Sequence, residues 1–357
     1  MNTNSSLRIV LFIVAVSSLI ANSQTTENSS ATAPNSTNSA TQQQMIVVTG
    51  APGTEEYGEL FSTWAHRWKV VCQSNNIAFA AVGWDGANHD IKNQEAAADG
   101  TAEAASNDRE RLRQLIAQAD PAASEPLWIV LIGHGTSYQE VTKFNLVGPD
   151  VAADDFAAWL KIMTRPVVLV HCGASSGPFI KKLSGPNRIV VTATNSGAEQ
   201  NFARFGEYLS AAIADLAADL DHDNQVSLLE AYLTAAAKVG AFYQEDTRLT
   251  TEHALLDDNG DGLGTPADFF VGIQAAVNTK SGEAVDGLRA HQMTLAAGPN
   301  VIRLSPELRA ERDALEVQIE ALRQQKADLS EDEYYDRLEQ LLLPLARLYA
   351  AAEETAE

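Results

Sequence analysis

Trp128-Ile129-Val130-Leu131-Ile132-Gly133-His134-Gly135-Thr136 is an apolar run that stops in a small, polar turn. The run does not alternate, so a strand built from it is covered on both faces, the condition of strands in a parallel sheet. Val167-Val168-Leu169-Val170 repeats the design and passes into His171-Cys172-Gly173-Ala174-Ser175-Ser176-Gly177. Ile46-Val47-Val48, Ile77 to Val82 and Ile189 to Thr192 supply three more strands of the same kind. Between them lie amphipathic segments. Tyr57, Leu60, Phe61, Trp64 and Trp68 share a face of a helix over about 55–73, and Asn107 can cap a helix through Leu112, Leu115 and Ile116. Phe156, Trp159, Leu160 and Met163 mark another helix, and a long one is expected from Phe202 to about Leu216. Strand and helix in alternation predict an α/β fold, a parallel sheet with helices on both faces.

Ligand chemistry in such sheets sits outside the carboxyl ends of the strands. Here those ends carry His134 and Cys172. If their strands are neighbours, the two ends stand about 5 Å apart, within reach for an imidazole to activate a thiol. Gly135 leaves a backbone N–H bare beside the histidine, and with the Cys172 N–H it could hold a developing oxyanion. His171 is expected on the opposite side of its strand.

A strand ending in His-Gly, then a strand ending in Cys and small residues, resembles the legumain and caspase group of cysteine peptidases. The order, the 38-residue spacing of His134 and Cys172 and the parallel setting agree, over roughly residues 45–275. The resemblance implies a caspase- or hemoglobinase-like three-layer domain, His134 as general base or acid, Cys172 as nucleophile and Gly135 in the oxyanion hole. Legumains carry an acid two residues before the cysteine and a glycine three after it, where this chain has Val170 and Ser175. The S1 pocket would be sought in the loops after Gly50 and after Thr192. A non-catalytic binding protein on the same fold is the first alternative. Gly173-Ala174-Ser175-Ser176-Gly177 also fits the G-x-S-x-G elbow of serine esterases, which needs His253 or His291 as partner to Ser175. Gly50-Ala51-Pro52-Gly53-Thr54 lacks the lysine of a phosphate loop.

Two acidic segments have the spacing of EF-hand loops. Asp219, Asp221, Asp223, Gln225, Ser227 and Glu230 occupy positions 1, 3, 5, 7, 9 and 12, with Asn224 where glycine is usual. Asp257, Asn259, Asp261, Thr265 and Asp268 fit a second loop, with Gly262 at the turn. Both predict structural Ca²⁺.

The ends of the chain are of another character. Arg8 and the apolar run Ile9 to Val16, followed by Ala21-Asn22-Ser23, read as a signal peptide over 1–23. It implies a secreted or periplasmic protein, and the run is too short for a membrane anchor. Residues 24–44 are almost wholly Ser, Thr, Asn, Gln and Ala, a flexible tether. The α/β domain is expected over 45–300. Over 301–357, Leu308, Leu315, Leu322 and Leu329 recur at seven-residue spacing. Ser330-Glu331-Asp332-Glu333 then starts a helix bearing Leu338, Leu341, Leu342, Leu345 and Leu348. This predicts a C-terminal α-helical hairpin that docks on the main domain or joins two copies of the chain. The formal charge of −22 disfavours nucleic acid and anionic membrane, and the resemblance to cysteine peptidases implies a peptide or protein as substrate. Two cysteines, Cys72 and Cys172, allow one bridge or two thiols, and the use found for Cys172 favours thiols.

Overall fold

The structure, a computed structural model, describes residues 42–86, 108–275, 286–297, 301 and 304–356. The signal-peptide segment, most of the tether and Asn107 lie outside the described residues. The strands are β1 Gln44–Thr49, β2 Ala78–Val82, β3 Leu127–Ile132, β4 Gly135–Tyr138, β5 Val141–Phe144, β6 Val151–Ala152 and β7 Val167–His171. They continue with β8 Arg188–Thr192, β9 Gln225–Ser227, β10 Leu255–Asp257, β11 Thr265–Pro266, β12 Phe270–Val271, β13 Gln274–Ala275 and β14 Thr294–Ala297. The helices are α1 Glu55–Ser74, α2 Asp108–Gln118, α3 Ala153–Trp159, α4 Pro178–Leu183, α5 Phe205–Ala212, α6 Leu228–Glu245, α7 Leu288–Gln292, α8 Pro306–Gln324 and α9 Glu331–Ala356.

Seven strands form the central sheet in the order β11-β10-β8-β7-β3-β1-β2. The pairs from β2 through β8 are parallel, and β10 and β11 are added antiparallel at one edge. The α/β expectation holds, with a mixed edge that short, turn-rich strands did not announce. β3 and β7 are fully buried in every residue, because each side of the sheet has its own helical cover. Trp128, Val130, Ile132, Val168, Val170 and Cys172 face one core with Phe61, Trp64 and Trp68 of α1, Phe205 of α5 and Tyr232 of α6. Leu127, Ile129, Leu131, Val167 and Leu169 face the other, with Leu112 and Ile116 of α2, Phe156 of α3 and Phe179 of α4. Alternation of side chains along a strand therefore decides which core each residue enters.

One expectation shifts. The helix expected from Phe202 begins at Phe205 and ends at Ala212. Its start is set from a distance, since the Glu252 carboxylate accepts the N–H groups of Arg204 and Phe205 (both 2.9 Å), leaving Phe202 in a non-helical approach. The segment after His134 is the hairpin β4–β5, which turns through Gln139 and Glu140 at positive φ.

Helices α8 and α9 pack together as the expected hairpin; Leu329 caps its turn rather than extending the heptads. Ser330 starts α9 by accepting the Glu333 N–H. The hairpin is anchored by Arg309, whose guanidinium reaches both oxygens of the buried Glu125 carboxylate (2.7 and 2.9 Å), and by Gln292 donating to Glu316. Among the described residues no helix is long and apolar enough to cross a membrane.

Candidate active site

β3 and β7 are parallel neighbours in the register Leu131↔His171, so His134 and Cys172 leave adjacent strands at the same end of the sheet. The turns that follow are pressed backbone to backbone. A Cβ on Gly135 would stand 2.2 Å from the Ala174 carbonyl oxygen, and one on Gly173 would stand 2.4 Å from that of Gly133. No side chain fits at either position, which is why glycine flanks both residues.

His134 is held by its surroundings. Its Nε2 lies 3.0 Å from the carbonyl oxygen of Pro52, in the loop after β1. A carbonyl only accepts, so Nε2 carries the proton and Nδ1 is left as the basic nitrogen. The ring meets Tyr57 and Phe61 of α1 edge-on at 5.0 and 5.2 Å, and Phe202 at 6.1 Å. Phe202 in turn stacks on Tyr57 at 4.6 Å. Three aromatic rings thus wall the imidazole.

Cys172 is 1% exposed. Burial pushes its thiol up to about 12, so the resting group is the protonated, non-nucleophilic form. α5 closes over it: a Cβ on Gly206 would meet the Cys172 Cβ at 2.5 Å and its Sγ at 3.0 Å. Cys72 is also a free, buried thiol pushed up to about 12 by burial, and its Sγ lies 3.3 Å from the sulfur of Met45.

The backbone corrects one expectation. The Cys172 N–H donates to the Leu131 carbonyl (2.9 Å), extending the β3–β7 ladder, and is not free for an oxyanion. Gly135 differs. The Asn145 N–H donates to the His134 carbonyl, which makes Gly135–Phe144 a non-hydrogen-bonded pair and turns the Gly135 N–H away from β5, towards Gly173.

His171 lies on the opposite face, as its place in the strand requires. Its ring packs between Phe144 and Phe179, and Nδ1 accepts the Gly173 N–H at 3.1 Å. Complete burial lowers it to about 3, so it stays neutral and shapes the turn after Cys172.

Ser175 sits at the strand-to-helix turn between β7 and α4 with φ of 55°, and is fully buried. Its hydroxyl donates to the Gly197 carbonyl (3.1 Å) and its N–H to the Glu199 carbonyl. The hydroxyl is therefore engaged with backbone and not with a histidine. His253 is bound instead to the Glu199 carboxylate, and His291 faces Asp221 at 3.7 Å. The strap 193–206 is thereby tied to the Cys172 turn by Ser175 and to the 250–255 segment by Glu199 and Glu252.

In the first acidic loop, Asp219, Asp221 and Asp223 bring one oxygen each to within 4.8 Å of one another. Asn224 takes the left-handed conformation with φ of 66°, the geometry that position demands. Oxygen-only donors at this spacing suit Ca²⁺. Glu230 is occupied, however: its carboxylate accepts from Leu220, Asp221 and Ser227 as the capping partner at the start of α6. Gln225 and Ser227 lie in β9, paired with β14.

The second loop is assembled differently from expectation. Asp257 accepts from Gly260 and Gly262, and Asn259 from Asp261. Thr265 donates to Asp286, and Asp268 leaves the loop in an exposed 3-10 turn, where it lines a cavity behind α5.

No family model matches the sequence, and no curated protein matches it. Among solved structures the chain is similar to the Drosophila initiator caspase Dronc, at 15% identity over 64% of this chain and 83% of that one, with a TM-score of 0.40. It is also similar to caspase-1 from Spodoptera frugiperda, at 8% identity over 61% and 87% of the two chains and a TM-score of 0.36. Raptor from Chaetomium thermophilum aligns with 87% of this chain and 25% of its own length, at 10% identity and a TM-score of 0.32.

Sequence reasoning reached His134, Cys172 and Gly135 from strand ends alone. It missed Phe202 and Gly206, which close the site. Gly206 within an otherwise apolar helical stretch was the available signal, since such a glycine often marks close packing.

Proposed function

We propose that the chain is a cysteine peptidase on a caspase-like plan, seen in a resting, closed form. The observation that carries this reading is the backbone-to-backbone packing of the Gly133–Gly135 turn against Gly173–Ala174, directly after Cys172. On opening, Nδ1 of His134 takes the Cys172 proton as sulfur attacks the scissile carbonyl carbon. The Gly135 N–H faces the developing oxyanion. The amine leaves with the proton from His134, and water hydrolyses the thioester on Cys172. Opening means displacement of Phe202 from His134 and of the α5 start from Cys172, because a thiol held near 12 does not ionise at neutral pH.

The test uses the full chain and Phe202→Ala against a mixed peptide library read by mass spectrometry, with His134→Ala and Cys172→Ala as controls. Cleavage that Phe202→Ala enhances and either control abolishes is expected. A burial-suppressed thiol specifically favours a second reading, a non-catalytic binding module. It would stand if Phe202→Ala exposes Cys172 to alkylation yet yields no cleavage dependent on Cys172.

The same reading includes Ca²⁺ on Asp219, Asp221 and Asp223, with Gln225 and Ser227 completing the first loop and Asp257, Asn259 and Asp261 forming a second. Their role is to stiffen the start of α6 and the turn after β10, which packs against the Ser184–Gly185 turn before β8. An exported protein meets Ca²⁺ at the concentrations that such loops need, about 10⁻⁴ to 10⁻³ M. The outward side chains of Val317, Tyr335 and Leu342 on the hairpin suit contact with a second copy.

A further inference from the structure

A cavity of about 440 Å³ opens beside the start of α5, between α6 and the segment 250–255. Its walls are apolar, chiefly Ala193, Phe205, Val239 and Leu255. Two of the polar groups that line it, Glu252 and Asp268, are acids, beside Asn195, Thr250 and His253. Glu252 is 2% exposed and fixed by three donors: the N–H groups of Arg204 and Phe205 and the Tyr243 hydroxyl. Asp268 stands at the rim. His253, also at the rim, is bound to Glu199. The Arg204 guanidinium lies over the Phe242 ring at 4.2 Å and faces Glu207 at 3.6 Å, and its charge favours the ionised form of Glu252 against the burial that raises it.

We propose that this cavity is a binding site for a small organic cation, a primary amine or amidine on a hydrocarbon or aromatic body. The apolar walls take the body and exclude anions poorly hydrated there. A carboxylate already oriented by three donors, with a second at the mouth, favours a positive head group without reorganisation of the site. A chain of formal charge −22 adds attraction at longer range. The site is separate from the His134–Cys172 pair, neither of which lines it.

Gly240 provides the test. It borders the cavity on α6, and a Cβ there has nothing within 4 Å, so Gly240→Leu fills space without a clash and improves helix propensity. Binding of p-aminobenzamidine to the full chain is followed by its fluorescence. We expect saturable binding, competition by 2-phenylethylamine, none by phenylacetate, and at least about tenfold weaker affinity in Gly240→Leu. Asp268→Lys, an exposed surface change that leaves the core intact, should weaken binding severalfold, more at low salt than at high salt. Equal binding to the wild type and Gly240→Leu, equal competition by phenylacetate, or no saturation up to about 10 mM probe would overturn the proposal. Cys172→Ala should bind unchanged, which separates this site from any failure of the peptidase reading.

Discussion

Cys172 occupies its place only because residue 206 has no side chain: a Cβ there would stand 2.5 Å from the Cys172 Cβ and 2.9 Å from the Trp64 ring. Both neighbours are core groups without room to yield. Gly206→Ala is therefore expected to destabilise the protein by about 1–3 kcal/mol through overpacking. Pushing α5 off the strand end should also accelerate alkylation of Cys172 by iodoacetamide at neutral pH. Thermal unfolding and peptide mapping read the two effects, and unchanged alkylation would show that the thiol is sealed by something other than α5.

The resting thiol makes a distinct statement about pH. Burial holds Cys172 near 12, so its thiolate fraction rises tenfold per pH unit well above the range where ordinary thiols level off. The alkylation rate of the wild type should keep climbing from about pH 7 to about pH 10 without a plateau. In Phe202→Ala the inflection should move down. A plateau near pH 8.5 in the wild type would mean that the closed form is not the resting state.

The strands that position this site were legible because burial on both faces leaves unbroken apolar runs, as in Trp128 to Ile132. The turns after them were legible because close backbone packing selects glycine, as at Gly135 and Gly173. Phe202 was read as helix, since its apolar spacing fits one. Glu252, 50 residues further on, sets the start of α5 instead, and no local pattern carries that information. The Cys172 N–H was misread for a related reason: whether an amide at a strand end is spent depends on how far the neighbouring strand runs.

His171 should leave a mark on acid stability. Its folded value is lowered to about 3 from 6.5, so below about pH 6.5 the unfolded chain binds a proton that the folded chain refuses. Stability contributed by its neutral form is thus complete above that pH and lost as pH falls towards 3, with a slope of up to about 1.4 kcal/mol per unit. His171→Leu should flatten that slope in urea unfolding series. At pH 8 it should cost about 1–3 kcal/mol, because the Gly173 N–H loses its acceptor. An unaltered acid slope would assign the loss to other groups.

Calcium should stabilise the fold through the first loop. The Asp221 carboxyl is raised by burial and by repulsion from Asp223 and Glu230, a strain that a bound cation relieves. With a Kd of about 10⁻⁴ to 10⁻³ M, 10 mM Ca²⁺ should add about 1.4–2.7 kcal/mol to unfolding. Chelator should reverse the gain and Asp219→Asn should remove most of it. A shift that persists in Asp219→Asn would move the site to the loop at Asp257.

The hairpin is tied to the domain by a pair of unequal members. Glu125 is 3% exposed, whereas the Arg309 side chain is 34% exposed, and one guanidinium nitrogen, Nη1, donates to both carboxylate oxygens at 2.7 and 2.9 Å. Arg309→Ala leaves the carboxylate buried without its partner, although the charge of the nearby Arg165 softens the effect. The expected cost is about 1–3 kcal/mol, since the penalty lies in the orphaned acid rather than in the lost attraction. Glu125→Gln in the same background should recover part of it, because a neutral amide tolerates burial better. Hydrogen exchange along α8 measures the outcome: protection should fall in Arg309→Ala and return partly in the double variant. Equal loss in both would mean that packing of Ile319 and Leu322, and not the ion pair, holds the hairpin in place.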